Sequence, residues 1–138
     1  MKRVLGASCR VPGAAVLIAA FAAALVAQSA TAPRKGGNPE AAKTKNPVAS
    51  SAESIAAGKR TYARMCAKCH GPAGKGDGEA AVGAQPADLT AKLDYGSSDG
   101  EIYAAIHDGT SKDMEGYGER LQPNDIWNVV NYVQSLRK

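Results

Sequence analysis

Cysteine is scarce in this chain of 138 residues: three occur, and Cys9 precedes an apolar leader-like run, which leaves Cys66 and Cys69. Two cysteines cannot build the disulfide framework that holds many small secreted domains together. Strand patterning is also missing. No segment alternates apolar and polar residues convincingly, and no βαβ pattern surrounds the Cys pair, which argues against a thioredoxin-like dithiol. Aromatic residues make up only 5% of the chain, and none interleave with a basic patch, so a nucleic-acid interface has no support. The formal charge of +4 is carried by the N-terminal part. Residues 51–138 hold 10 Lys and Arg against 12 Asp and Glu, so the folded part is near neutral and slightly acidic.

What the chain does contain is Cys66-Ala67-Lys68-Cys69-His70. This is the Cys-x-x-Cys-His pattern for covalent attachment of one haem c. Two thiols at this spacing reach the two vinyl groups on one porphyrin edge, and the adjacent imidazole falls under the iron. A structural zinc site needs four ligands, and only Cys9 and His107 remain as further donors. A simple Cys66–Cys69 disulfide is the other alternative.

Lys2, Arg3 and Arg10 precede an apolar run of 17 residues, Val11 to Ala27, with small residues at Ala27 and Ser29. Residues 1–29 therefore read as an export signal cleaved after Ser29, the alternative being an uncleaved anchor. The run is short and alanine-rich for a membrane span of about 20 residues. Residues 30–50 contain prolines, paired glycines and few apolar side chains and read as a flexible tether. Residues 51–138 form one domain, of a size at which a core is marginal without help. A covalently held porphyrin would complete that core.

Three helices carry start and stop signals. Ser50-x-x-Glu53 reads as a capping box, followed by Ile55, Gly58, Tyr62 and Met65 at helical spacing. Ser98-x-x-Glu101 opens a second helix, with Ile102, Ala105 and Ile106 on its apolar face and Gly109 at its end. Pro123 fits the first position of a third helix, whose stripe is Ile126, Val129, Val130, Val133 and Leu136. A mid-helix glycine costs about 1 kcal/mol against alanine. Gly58 therefore suggests a close crossing, with Trp127 or Tyr132 packing over bare backbone. The segments between helices are rich in Gly, Pro and Asp and are expected to wrap the haem as loops.

A six-coordinate iron needs a ligand opposite His70. Met65 adjoins Cys66 and reads as core filler. His107 ends the second helix, where a histidine serves as a surface or capping residue. Met114 lies in a glycine-rich loop between the second and third helices and otherwise lacks a packing reason, which favours it as the ligand. A thioether ligand stabilises ferrous iron.

Several segments resemble small class I bacterial cytochromes c: Cys66 to Gly78, Pro86-Ala87-Asp88-Leu89-Thr90, Asp99-Gly100-Glu101-Ile102, Asp108-Gly109-Thr110 and Ile126 to Leu136. The spacing of Gly58, Tyr62 and Cys66 is similar to that family's first helix. The resemblance implies an all-α fold wrapped around one haem, with thioether bonds at Cys66 and Cys69 and axial ligands His70 and Met114. It also implies a proline carbonyl, that of Pro86, holding the His70 ring, and Tyr117 packed on the haem edge. One departure is Glu115, where the family usually has proline after its methionine.

The leading expectation is an exported, periplasmic single-electron carrier that is not an enzyme. It would contact redox proteins transiently and a membrane only through an uncleaved N-terminus. The alternatives are a haem subunit of a larger periplasmic dehydrogenase or oxidase, and a sensor or peroxidase-like protein with a labile distal ligand. No acid–base pair stands near the distal loop to support catalysis.

Overall fold

The computed structural model describes residues 38–137. The expected export signal and residues 30–37 lie outside them. The order is α1 (Pro39–Ala42), α2 (Ala52–Met65), α3 (Ala67–His70), α4 (Asp99–Asp108), β1 (Gly109–Ser111), β2 (Met114–Glu115) and α5 (Pro123–Ser135). The three long helices match the sequence expectation. Among the described residues no helix is long and apolar enough to cross a membrane.

Helix α2 crosses α5 at Gly58. A Cβ there would overlap the Asn128 carbonyl and stand 2.9 Å from Tyr132 Cβ, so only glycine lets the backbones approach this closely. One turn on, Tyr62 packs on Tyr132 with ring centroids 5.0 Å apart. The aromatic at the crossing is thus Tyr132. Trp127 points elsewhere and stacks on Tyr103 of α4 at 4.0 Å.

Helix α5 is the centre of the core. Its buried residues are Ile126, Trp127, Val129, Val130, Asn131, Tyr132 and Val133, which cover more than one face because α2 and α4 pack on different sides. From α4, Ile102 and Ile106 complete the cluster. Leu136 is half-buried, and Ala105 is not part of the buried set.

Helix starts follow local chemistry. Ser98 and Glu101 form the expected capping box on α4. Pro123 stands at the start of α5. The α2 cap shifts by one residue: Ser51, rather than Ser50, accepts from Ser54 N at 3.2 Å. The Ser51 hydroxyl also holds the Glu53 carboxyl below its ordinary value.

Two expectations change. The segment read as a tether is docked from Asn38 onward. Asn131, buried on α5, donates to Ser54 Oγ (2.6 Å), Val48 O (3.1 Å) and Ala49 O (3.3 Å), and accepts from Asn46 Nδ2 (2.8 Å). The polar composition that suggested a solvated chain instead supplies partners to a buried amide. The second change is a two-stranded antiparallel hairpin, with Gly109 opposite Glu115 and Ser111 opposite Met114. Strands of three and two residues are too short to leave an alternating pattern.

Gly58→Ala is expected to destabilise the fold by about 1–3 kcal/mol, the usual cost of overpacking, read from the denaturant midpoint at unchanged slope. Asn131→Ala would strand the Val48 and Ala49 carbonyls and cost about 2 kcal/mol. Amide exchange should then accelerate selectively over residues 46–50.

Candidate haem site

Cys66 ends α2 and begins the next turn. Its carbonyl accepts from Cys69 N (3.1 Å) and His70 N (2.9 Å), so residues 66–70 form one tight helical turn. Residues three and four apart share a helix face. The spacing therefore brings both thiols and the imidazole to one side. Both cysteines are free and half-buried. Burial pushes the Cys66 thiol up to about 11, with Cys69 beside it adding to the shift.

The loop after His70 folds back on this turn. Gly76 N, Gly78 N and Ala80 N donate to the carbonyls of His70 (2.9 Å), Cys69 (3.1 Å) and Lys68 (2.9 Å), which satisfies the open end of α3. Gly76 has φ +76, and any Cβ there would run into the Pro86 carbonyl. Tyr62, 1% exposed, donates its hydroxyl to Gly71 O at 2.7 Å and so ties α2 to the residue after His70. Burial raises its phenol well above the ordinary value.

His70 is 9% exposed. Its Nδ1 lies 3.1 Å from the Ala87 carbonyl. A carbonyl can only accept, so Nδ1 carries the proton and Nε2 keeps its lone pair. This corrects the expectation for Pro86: the acceptor is one residue further on, because the Pro86 carbonyl is turned against Gly76. Asp88 fixes the turn that follows, accepting from Thr90 N (2.8 Å) and Oγ1 (2.6 Å). These bonds hold its carboxyl below the ordinary range.

The β1–β2 hairpin follows α4. Met114 is partly buried and packs with Tyr117, Leu121, Leu89 and Leu93 against the core cluster. The Tyr117 hydroxyl donates to Met65 O at 3.0 Å. Burial and the nearby Cys66 raise its phenol. Tyr117 is thereby brought beside the cysteine turn. His107 is not part of this group. It is partly exposed and stacks on Tyr103 with ring centroids 5.5 Å apart, with Nδ1 2.6 Å from Asp108 Oδ1.

These residues fit a haem c. Two free thiols share one helical turn, an adjacent imidazole has its outer nitrogen already bonded, and Nε2 makes no hydrogen bond among the described residues. Tyr117 stands beside the turn through its bond to Met65 O.

Residues 53–133 match the family described as "Cytochrome C oxidase, cbb3-type, subunit III". The chain is a cytochrome c domain of this family. It belongs to the monohaem cytochromes c, whose members carry covalently bound haem c. The cytochrome is 38% identical over 82 residues to the "Cbb3-type cytochrome c oxidase subunit FixP" of Bradyrhizobium sp. (strain ORS 278), covering 59% of this chain and 27% of FixP. It thus spans about a quarter of the length of that relative. A chain of the Kuenenia stuttgartiensis reducing HAO-like protein complex is 27% identical, with a TM-score of 0.59 over 67% of this chain and 47% of that one. Cytochrome cL from Hyphomicrobium denitrificans shares the fold, with a TM-score of 0.54 at 18% identity over 72% of this chain and 62% of that one.

Tyr62 and the Ala87 carbonyl belong to the site but were not singled out as site residues by sequence reasoning. Tyr62 was visible as a helix-spaced aromatic, but its hydroxyl partner was not. A main-chain acceptor leaves no side-chain signal at all.

Tyr62→Phe leaves the Gly71 carbonyl unpaired and should cost about 1 kcal/mol near neutrality. A phenol pKa raised by folding contributes stability that is full below its ordinary value of 10.0 and is lost as pH rises through the folded value. Denaturation of the parent at increasingly alkaline pH should show this loss, and the variant should show less of it.

Proposed function

We propose that this cytochrome c passes single electrons between redox proteins in an exported compartment. In this reading Cys66 and Cys69 hold the haem by thioether bonds, and His70 and Met114 are its axial ligands. When bound, the haem supplies one-electron exchange between ferric and ferrous iron. The observation that carries the reading is the conjunction at residues 66–70 of a paired thiol turn with an imidazole whose tautomer is set by Ala87 O.

Each protein group has a simple task. The Nδ1–Ala87 bond orients the ring and raises the basicity of Nε2, as outer partners of ligating histidines do. The Gly76, Gly78 and Ala80 amides and the Tyr62 hydroxyl hold the turn still, so little rearrangement accompanies a change of charge. Met114 would ligate the haem iron through its thioether and keep exogenous ligands out, which favours electron transfer over catalysis. The Pro86 carbonyl faces Gly76 and shapes the loop.

A second reading makes the domain a haem subunit of a larger complex. It is supported by the similarity to FixP and to a chain of the HAO-like complex, and co-purification with a large partner would favour it.

The test is the optical spectrum of the purified holoprotein, parent and Met114→Ala. The ferric parent should show the weak long-wavelength charge-transfer band of methionine ligation, and the variant should lack it. A band unchanged in the variant would exclude Met114. In the carrier reading, transfer to a redox partner should depend weakly on ionic strength, because the domain is near neutral; stopped-flow rates across a salt series check this.

A further inference from the structure

The backbone around Met114 is held before the turn by the Tyr95 hydroxyl, 3.5 Å from Thr110 O, and after the hairpin by the end of α4. Tyr117 N donates to Ile106 O (2.8 Å) and Gly118 N to His107 O (3.0 Å), so the chain after the hairpin closes the end of α4. Met114 itself lies beside the exposed hairpin turn, where Lys112 Nζ pairs with Asp113 Oδ1 at 2.7 Å and Asp113 N donates to Ser111 Oγ at 3.2 Å. Two side-chain links reach across this stretch. Glu115 Oε2 pairs with Arg120 Nη2 at 2.6 Å. The Arg120 guanidinium lies 5.1 Å from the centre of the Tyr117 ring. Tyr117 in turn is bonded to Met65 O, immediately before Cys66. The order is therefore Glu115, Arg120, Tyr117 and the cysteine turn.

We infer that Glu115, Arg120 and Tyr117 form a clip that holds the Met114 loop against the haem-attachment turn and sets how readily Met114 leaves the iron. They are positioning residues, and the inference rests on Met114 being the axial ligand. The two links differ in kind. The hydroxyl bond of Tyr117 is partly buried, whereas the carboxylate of Glu115 is 72% exposed and the guanidinium of Arg120 51% exposed. An exposed pair is weak and is screened by salt. The clip therefore has one firm, salt-insensitive part and one that salt loosens. Its effect falls on the small population in which the loop has opened, where a weak interaction changes a ratio measurably. An open cleft lined by His107, Gly116, Gly118, Glu119 and Arg120 adjoins the exposed end of the clip.

The experiment is titration of the ferric holoprotein with imidazole, which takes the axial position when methionine departs, followed by loss of the charge-transfer band. At low salt, Glu115→Gln should raise the apparent imidazole affinity by up to about fivefold, as for an exposed ion pair. Arg120→Gln should do at least as much, and the double variant no more than Arg120→Gln alone, because a broken pair cannot be broken twice. At about 1 M salt, where the screening length is about 3 Å, the Glu115→Gln effect should vanish. Tyr117→Phe should raise the affinity by about fivefold, with no salt dependence. If Tyr117→Phe does not fold, the surface variants carry the test alone. Parent-like affinity in Glu115→Gln and Arg120→Gln, or a Glu115→Gln effect that persists at high salt, would overturn the clip. Met114→Ala separates the two readings. If it binds imidazole far more readily than the parent while the clip variants do not, the ligand stands and the clip falls. If Met114→Ala matches the parent, both fall.

Discussion

The approach of α2 to α5 at Gly58 is the constraint on which the rest of the domain depends. Contact at the Asn128 carbonyl places Tyr62 against Tyr132. It also aims the Tyr62 hydroxyl at Gly71, the residue that follows the imidazole. The same crossing puts Ser54 within reach of both Asn128 and Asn131. One missing methyl group thus links the packing of two helices to the position of a ligand-bearing turn. The domain is small and its core narrow, so a defect here has few other contacts to absorb it.

Around that crossing the site is built largely from main-chain groups. Carbonyls of residues 68–70 are met by amides from the loop that follows. Ala87 contributes only its carbonyl. Such a frame makes the position of His70 insensitive to many side-chain changes while leaving it sensitive to loop length and to Gly76. The hairpin side differs in character. There the hairpin, Tyr117 and the Glu115–Arg120 pair use side chains, one of them fully ionic and solvated. The His70 side is held by main-chain bonds, and the hairpin side by side-chain contacts that substitution or salt can tune.

The similarity to FixP covers about a quarter of that protein, so the shared part is the electron-carrying module rather than the whole assembly. Helix α1 packs on α4, and residues 46–49 bond to α5, which ties this segment to the helical core.

The sequence by itself determined the chemistry and the helices. Cys66, Cys69 and His70 name their cofactor by covalent spacing, the stripe from Ile126 to Val133 requires a buried helix, and the Ser98–Glu101 box is complete within four residues. All of these are local relations that adjacent residues settle among themselves. Only the tertiary structure decided between Pro86 and Ala87 as the partner of His70, because two neighbouring carbonyls are chemically alike and differ only in direction. Only it docked the polar segment before Ser51, whose partner Asn131 lies some eighty residues away. It alone joined Tyr117 to Met65 and Glu115 to Arg120, contacts that depend on how the hairpin folds back and that no periodicity encodes.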